Sequence, residues 1–433
     1  MTKAQRSLKK KLQKNLQQFI HKQNTFPRLE NRTVQQATIQ DAKEEFATGF
    51  ADLASLYSAE ELEQSTAKKA IDKVTAAIHK SSMVTVSRTH TGGSLGRRTL
   101  VKDAFDVDLI VYVKKYNGQD MTDPDKWRYD TDLVTAMRQH VKERLEAADL
   151  LGAWDVQIPQ NAHYCDVLQV VVNGVPVDLL LVPDCVRGKP SDPAWEQHIA
   201  LMKEVYDSCG AGAEYDMIRE RADAAALTSF VSTVHDDVKT VVRFVKALYK
   251  FGVLADTDSR SGGGSWWPPE DDRIRSVSLE VLVLAADQRL RTRAYGGGRK
   301  ASGNVYKLEL FQEFLELVVA AVRRKEVVSV AAGPWGYQGE VRDFERCWAG
   351  DAIRIIHPID PTCNLERPRE HRGPANWQPL LQLAEALLKL LDGGGSFKAF
   401  CAVPAVARAM QDIDKSTLPV YIAAMMLDPG MGL

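Results

Sequence analysis

Three aspartates at the ends of apolar runs are the residues of this chain whose types and spacing could do chemistry. Asp106 and Asp108 stand two residues apart, and Asp108 opens the apolar run 109–113. Alternate side chains of an extended strand point to the same face, so these two carboxylates share one face. Asp178 lies early in a second apolar run, 175–182. A carboxylate is costly there unless it is paired or binds a metal.

A turn of small residues, Gly92, Gly93 and Ser94, comes before the paired acids. Exposed backbone amides of such a turn can bind phosphate oxygens, and carboxylates bind divalent cations. Three carboxylates on neighbouring strands can hold two Mg²⁺ ions about 3.5–4 Å apart, with Mn²⁺ as a substitute. A solvated strand end is the plain alternative, because an Asp-x-Asp motif alone is a weak signal. The order of turn, spacer, acids and apolar run indicates metal-dependent nucleotidyl transfer.

Composition is ordinary for a water-soluble protein. The chain has 433 residues, of which 45% are hydrophobic and 26% charged, with a formal net charge of −1. No apolar run approaches the length of a membrane span, and the N-terminus lacks a secretory signal, so we expect no stable membrane insertion. The six cysteines are scattered without the spacing of a zinc site. We expect reduced thiols and a monomer in the cytoplasm, with the nucleus as an alternative.

The N-terminal segment is strongly basic. Residues 1–29 carry eight Lys or Arg and no acid, and their apolar residues recur at helical spacing. This pattern predicts a basic amphipathic helix. The pattern leaves open contact with nucleic acid or with an anionic membrane surface, packing on its own domain and a solvated tail. A mitochondrial presequence is a lesser option, because such segments favour Arg over Lys.

The elements that must position the acids follow from periodicity. Before residue 226 we expect helices over 53–81 and 132–148, and strands over 83–86, 109–113, 154–158, 165–172 and 175–182. Beyond it we expect helices over 230–251, 275–291, 307–324 and 377–391, and a short docked helix within 393–433. The expected fold class is α+β, a mixed-sheet core followed by a helical C-terminal lobe. The expected segments are an N-terminal extension (1–45), the core (46–225), the helical lobe (226–392) and a C-terminal appendage (393–433).

Several of these motifs together resemble one family. The Gly-Gly-Ser94 turn, the pair of Asp106 and Asp108, and Asp178 are similar to the active-site signature of the 2′-5′-oligoadenylate synthetases, which are related to cyclic GMP-AMP synthase. Segment 241–249 resembles that family's spine helix. Segment 353–365, IRIIHPIDPTCNL, resembles its Asp-Pro-x-Asp-Pro-Thr-x-Asn element. The resemblance covers residues 50–391.

The resemblance implies a bilobal nucleotidyltransferase fold that binds two nucleoside triphosphates between the lobes. The 2′-hydroxyl of one ATP would attack the α-phosphate of the other without a template and release pyrophosphate. The three aspartates would be the catalytic metal ligands. The residues implied in nucleotide binding are Gly93, Ser94, Lys246 and Ser276. Double-stranded RNA would activate the enzyme in innate immune signalling, through basic residues between 3 and 28 and through Arg97 and Arg98.

Two departures from the family pattern keep other functions open. Ser276 and Val277 stand where the family has a Gln-Tyr pair that contributes to adenine binding. Asp236 and Asp237 stand where basic residues of the RNA-binding face are expected. The alternatives are a cyclic dinucleotide synthase and a non-catalytic sensor of double-stranded nucleic acid. A polynucleotide-tailing polymerase fits the 353–365 element less well.

Overall fold

The computed structural model describes residues 33–59, 61–102, 107–148, 154–158, 167–185, 200, 202–203, 206–207, 223–254, 272–294, 302–337, 340–368, 373–411 and 413. Asp106 and the basic segment 3–28, both singled out in the sequence, lie outside these residues.

A mixed β-sheet forms the centre of the N-terminal lobe. Within the described residues its six strands are β1 (Val84–Thr91), β2 (Val107–Tyr116), β3 (Gln119–Asp120), β4 (Trp154–Gln157), β5 (Val167–Val172) and β6 (Val175–Pro183). The strand order is β1-β2-β6-β5-β4, and β3 pairs with β2 as a short hairpin. Strands β2 and β6 run parallel, whereas the other neighbours are antiparallel. The mixed sheet with its helices confirms the α+β class.

Alternation along β2 divides its side chains between two different cores. Val107, Leu109 and Val111 point to a layer of two helices, α2 (Glu61–His79) and α5 (Thr131–Ala148). Ile110 and Tyr112 point to the opposite face, where they pack with the beginning of the helical lobe. Asp108 belongs to this second face because it is two residues from Ile110.

Most of the remaining regular structure in the described residues is helical. In the N-terminal part these are α1 (Thr33–Ser55), the four-residue α3 (Gly93–Gly96) and α4 (Pro124–Tyr129), besides α2 and α5. The later ones are α6 (Ala224–Ser232), α7 (Asp236–Ala247), α8 (Ser276–Ala294), α9 (Asn304–Arg323), α10 (Gln378–Asp392), α11 (Phe397–Cys401) and α12 (Pro404–Ala409). A π-helical segment, Leu248–Val253, continues α7. Helix α1 shares one hydrophobic core with α6–α12.

Two expected helices are each interrupted. The helix predicted over 53–81 was wrong at its start, because α1 ends at Ser55 and α2 begins at Glu61. Between them Tyr57 turns into the core and donates a hydrogen bond to the carbonyl of Ala409 at 2.8 Å, and Ser58 bridges to Val101. The helix predicted over 230–251 is broken before His235, whose Nδ1 accepts from the amide of Asp237 at 3.2 Å and caps α7. Contacts distant in sequence override the helical periodicity at the first break.

The described part of the C-terminal appendage contains two short helices, α11 and α12, where one was expected. Gly252 lies against α12 so closely that Arg408 donates from Nε to its carbonyl at 2.9 Å. Among the described residues, no helix combines the length and the apolar character needed to cross a bilayer. Residues 414–433 lie outside the described part.

Candidate active site

Asp108 and Asp178 lie side by side at the beginnings of β2 and β6. The parallel register places Asp108 opposite Asp178 and Ile110 opposite Leu180. Neighbouring strands are about 4.8 Å apart, so the two carboxylates are close neighbours on one face of the sheet. Both residues are half-buried. Alternation would put Asp106 on the same face, but Asp106 lies outside the described residues.

The glycine turn touches the first of these carboxylates. The amide of Gly92 donates to the carbonyl of Asp108 at 2.9 Å. Gly93 has φ +55°, and a Cβ at this position would overlap Asp108 Oδ2 and lie 2.6 Å from Asp108 Cγ. Only glycine tolerates both this conformation and this approach. The structure thus brings the turn, with Ser94 next to Gly93, against the Asp108 carboxylate.

The donor set fits a hard divalent cation. Carboxylate oxygens are the ligands that Mg²⁺ and Mn²⁺ prefer, and two adjacent aspartates can share such ions. Within the described ranges no group of three or more His, Cys, Asp or Glu side chains is placed to hold a metal. The third expected donor is Asp106. Of the three expected ligands, Asp108 and Asp178 are the two that lie among the described residues.

Lys246, expected to face the nucleotide, is buried in a cluster that joins the two lobes. Its Nζ donates to Thr99 Oγ1 at 2.9 Å and to Glu280 Oε2 at 2.8 Å. Arg97 donates from Nε to Glu280 Oε1 at 2.8 Å, and the Thr99 hydroxyl donates to Glu280 Oε2 at 3.2 Å. We call these four residues the buried charge cluster. Thr99 and Arg97 follow the glycine turn, whereas Lys246 lies on α7 and Glu280 on α8.

The electrostatics of the cluster follow from its burial. Burial alone would raise the pKa of Glu280, but the adjacent Arg97 and Lys246 overcome it and hold that pKa at about 2. Burial lowers the pKa of Lys246, and Glu280 opposes this effect. Asp108 also raises the pKa of Lys246, so the ammonium lies within electrostatic reach of the candidate metal ligand. The amides of Arg97 and Thr99 donate to the carbonyls of Gly93 and Ser94, at 3.3 and 2.8 Å, so the cluster borders the glycine turn beside Asp108.

Ser276 lies exposed at the beginning of α8, four residues before Glu280. Residues four apart share one face of a helix, so Ser276 is on the side of α8 that carries the buried charge cluster. The structure thereby places Ser276 one helical turn from Glu280, the partner of Lys246.

The 353–365 element supports the beginning of α8. Its Asp360 accepts at Oδ1 from the amide and hydroxyl of Thr362, at 2.9 and 2.6 Å. Asn364 accepts from the amide of Glu366 at 3.2 Å, and Glu366 in turn accepts from the Ser278 hydroxyl at 2.5 Å. These residues are buried, and they hold the helix that carries Ser276 and Glu280.

Arg97 corrects one expectation. It was expected, with Arg98, on a surface that binds double-stranded RNA. Arg97 is only 7% exposed and is bonded to Glu280, so its guanidinium is unavailable to a nucleic acid. Arg98 is exposed, with φ +59°.

Sequence reasoning did not single out Glu280 or the polar residues on β1. Glu280 interrupts an otherwise apolar stretch of α8, and an isolated acid in such a stretch is a signal for a buried charge partner. On β1, Arg88 lies over the Tyr112 ring at 3.7 Å and pairs with Asp184 at 3.3 Å. His90 lies between Arg88 and the glycine turn, with a pKa lowered to about 4 by burial and by the charges of Arg88 and Arg97.

Comparisons with known proteins gave structural neighbours only. No family model matches the chain, and no curated protein matches its sequence. A cytoplasmic RNA terminal U-transferase is similar over 81% of this chain and 94% of its own, at 13% identity and a TM-score of 0.48. The E. coli MS115-1 CdnC:HORMA-deltaN complex is similar over 86% and 98%, at 16% identity and a TM-score of 0.47. The Cid1 poly(U) polymerase is similar over 81% and 95%, at 12% identity and a TM-score of 0.48.

Proposed function

We propose that this protein is a metal-dependent, template-independent nucleotidyltransferase that acts on nucleoside triphosphates. The observation that carries the proposal is the in-register pair of Asp108 and Asp178 beside the Gly93 turn. A turn that can bind phosphate thereby touches a carboxylate that can bind metal. The face that carries them is the one turned to the helical lobe, where a substrate can contact both lobes.

In the proposed reaction the hydroxyl of one nucleotide attacks the α-phosphorus of the other. The new oxygen–phosphorus bond forms as the bond to the β-phosphate breaks, pyrophosphate leaves, and the hydroxyl proton passes to solvent. Asp108 and Asp178, with Asp106, would hold Mg²⁺, which when bound lowers the pKa of the hydroxyl and neutralises phosphate charge. The Gly93–Ser94 turn and Lys246 orient the triphosphate, and positioning of this kind does most of the work in phosphoryl transfer.

For the product we propose 2′-5′-linked oligoadenylates made from ATP, with double-stranded RNA as activator. The resemblance of the 353–365 element supports this choice, because that element holds the helix of Ser276. Exposed Arg98 and basic residues 3–28 would contact the RNA. Ser276 and Val277 replace the family's Gln-Tyr pair, and the stacking ring of the tyrosine is lost. This loss leaves base selection open and favours the alternative of a cyclic dinucleotide synthase.

The test is pyrophosphate release from ATP with Mg²⁺, with and without double-stranded RNA, for wild type and Asp178→Asn. We expect Asp178→Asn to reduce the rate by more than about 100-fold, because an amide holds Mg²⁺ more weakly than a carboxylate and leaves the developing phosphate charge less well neutralised. Asp155→Asn is the matched control, since Asp155 lies exposed on the edge strand β4. Equal rates for wild type and Asp178→Asn would refute the site. Chromatography separates a linear ladder from a single cyclic product formed with ATP and GTP.

A further inference from the structure

Glu280 is the centre of the buried charge cluster. It is 1% exposed, and its two carboxylate oxygens accept from Arg97, Lys246 and Thr99. Two of these donors, Arg97 and Thr99, belong to the segment that follows the glycine turn, and the third belongs to α7. A single carboxylate therefore ties the turn in the N-terminal lobe to two helices of the helical lobe.

Burying three charges is costly, and removing one partner of such a cluster leaves the others uncompensated. Apolar residues of similar volume would stabilise the fold at least as well, so stability alone is a weak reason for the cluster. Two cations face one anion, which leaves one net positive charge near Asp108. A net positive charge beside the candidate metal ligands suits the phosphates of a nucleotide.

We propose that Glu280 is a positioning residue for the triphosphate of the bound nucleotide. It acts through Lys246 and Arg97, which it keeps in one geometry, and through them it sets the position of the glycine turn relative to α7. Glu280 itself contacts no substrate, because it is enclosed by its three donors. This inference rests on the proposed function of the same site.

The experiment measures ATP and AMP binding by titration calorimetry with Mg²⁺, together with pyrophosphate release, for wild type and Glu280→Gln. We expect the Kd and KM for ATP to rise at least about tenfold, because Lys246 and Arg97 repel each other without the anion between them and displace the glycine turn from its position relative to α7. We expect AMP affinity to change much less than ATP affinity, and kcat less than KM. A purely structural role would weaken both nucleotides alike.

Glu313→Gln is the matched control. Glu313 lies on α9, is 5% exposed and pairs at 3.0 Å with Arg293 of α8, outside the buried charge cluster. The control makes the same Glu→Gln change at a residue of similar burial. We expect the ATP affinity of Glu313→Gln to equal that of wild type. Folded Glu280→Gln with wild-type ATP affinity would overturn the inference, as would an equal loss in Glu313→Gln.

Thr99→Val decides the question if Glu280→Gln does not fold. It removes the hydroxyl that Lys246 and Glu280 share, but keeps every charge and the side-chain shape. We expect ATP affinity to fall about three- to tenfold, and unchanged affinity would overturn the inference.

Wild type that binds ATP without releasing pyrophosphate contradicts the proposed function alone, and the ATP affinities then still decide the role of Glu280. Wild type that binds no ATP contradicts both.

Discussion

Substitution of Gly93 by alanine is expected to abolish activity while leaving the protein folded. The backbone there has φ +55°, which costs a residue with a Cβ about 1–2 kcal/mol. The new Cβ would lie 2.6 Å from Asp108 Cγ, whereas carbon atoms pack at about 3.5–4.0 Å. Either the turn or the carboxylate must therefore move by about 1 Å. A misplacement of that size in an active site can cost about 100-fold in rate.

The assays are urea denaturation, which measures the free energy of unfolding, and pyrophosphate release, which measures the rate. We expect Gly93→Ala to lose about 1–3 kcal/mol of stability and at least about 100-fold of rate. Gly118→Ala and Gly174→Ala are matched controls, since both glycines have φ +79° and an added Cβ would meet nothing within 4 Å at either position. These controls carry the strain without the collision, so their rates should equal wild type. A Gly93→Ala enzyme with wild-type rate would refute the role given to the turn.

Two further predictions concern stability. Burial, and then the charges of Arg88 and Arg97, lower the pKa of His90 from 6.5 to about 4. His90 is therefore neutral in the folded protein at neutral pH. Its contribution to the free energy of unfolding is complete above pH 6.5 and is lost as the pH falls toward 4. Urea denaturation over this range should show a loss of up to about 3 kcal/mol in wild type that is smaller in His90→Asn, and parallel curves would contradict it. Gly252→Ala should destabilise the fold by about 1–3 kcal/mol, because a Cβ there would overlap the Ala405 carbonyl oxygen and lie 3.0 Å from its carbon. Gly350→Ala is the control with open space, and thermal melts that show no loss in Gly252→Ala would contradict the close approach of α12.

Local patterns predicted most elements of the fold. Alternating or continuous apolar runs located β2, β5 and β6, and helical periodicity located α5, α8, α9 and α10 to within a few residues. The interruption after Ser55 was not predictable, because the side chain of Tyr57 that turns inward has its partner at Ala409, on the C-terminal appendage. Periodicity describes a segment by itself, and such a break depends on a segment 352 residues away.

The sequence predicted the acidic residues and the glycine turn of the candidate site better than it predicted the contacts of Lys246 and Arg97. Spacing predicted that Asp106 and Asp108 share one face, although Asp106 lies outside the described residues, and the cost of burying a carboxylate singled out Asp178. Lys246 was expected to face phosphate, but its direct partners are Thr99 and Glu280. Glu280 also holds Arg97 inside the protein, whereas Arg98 is exposed. The sequence alone does not distinguish these two adjacent arginines.

The sequence by itself determined the residue types, the alternation along β2 and the small residues that allow a tight turn, because these depend on neighbours in the chain. Tertiary structure decided that Asp108 meets Asp178 in parallel register, that Gly93 touches the Asp108 carboxylate and that Glu280 joins the two lobes. Strand register and the docking of helices arise from packing between distant segments; Thr99 and Lys246, for example, are 147 positions apart in the sequence. No local pattern carries that information.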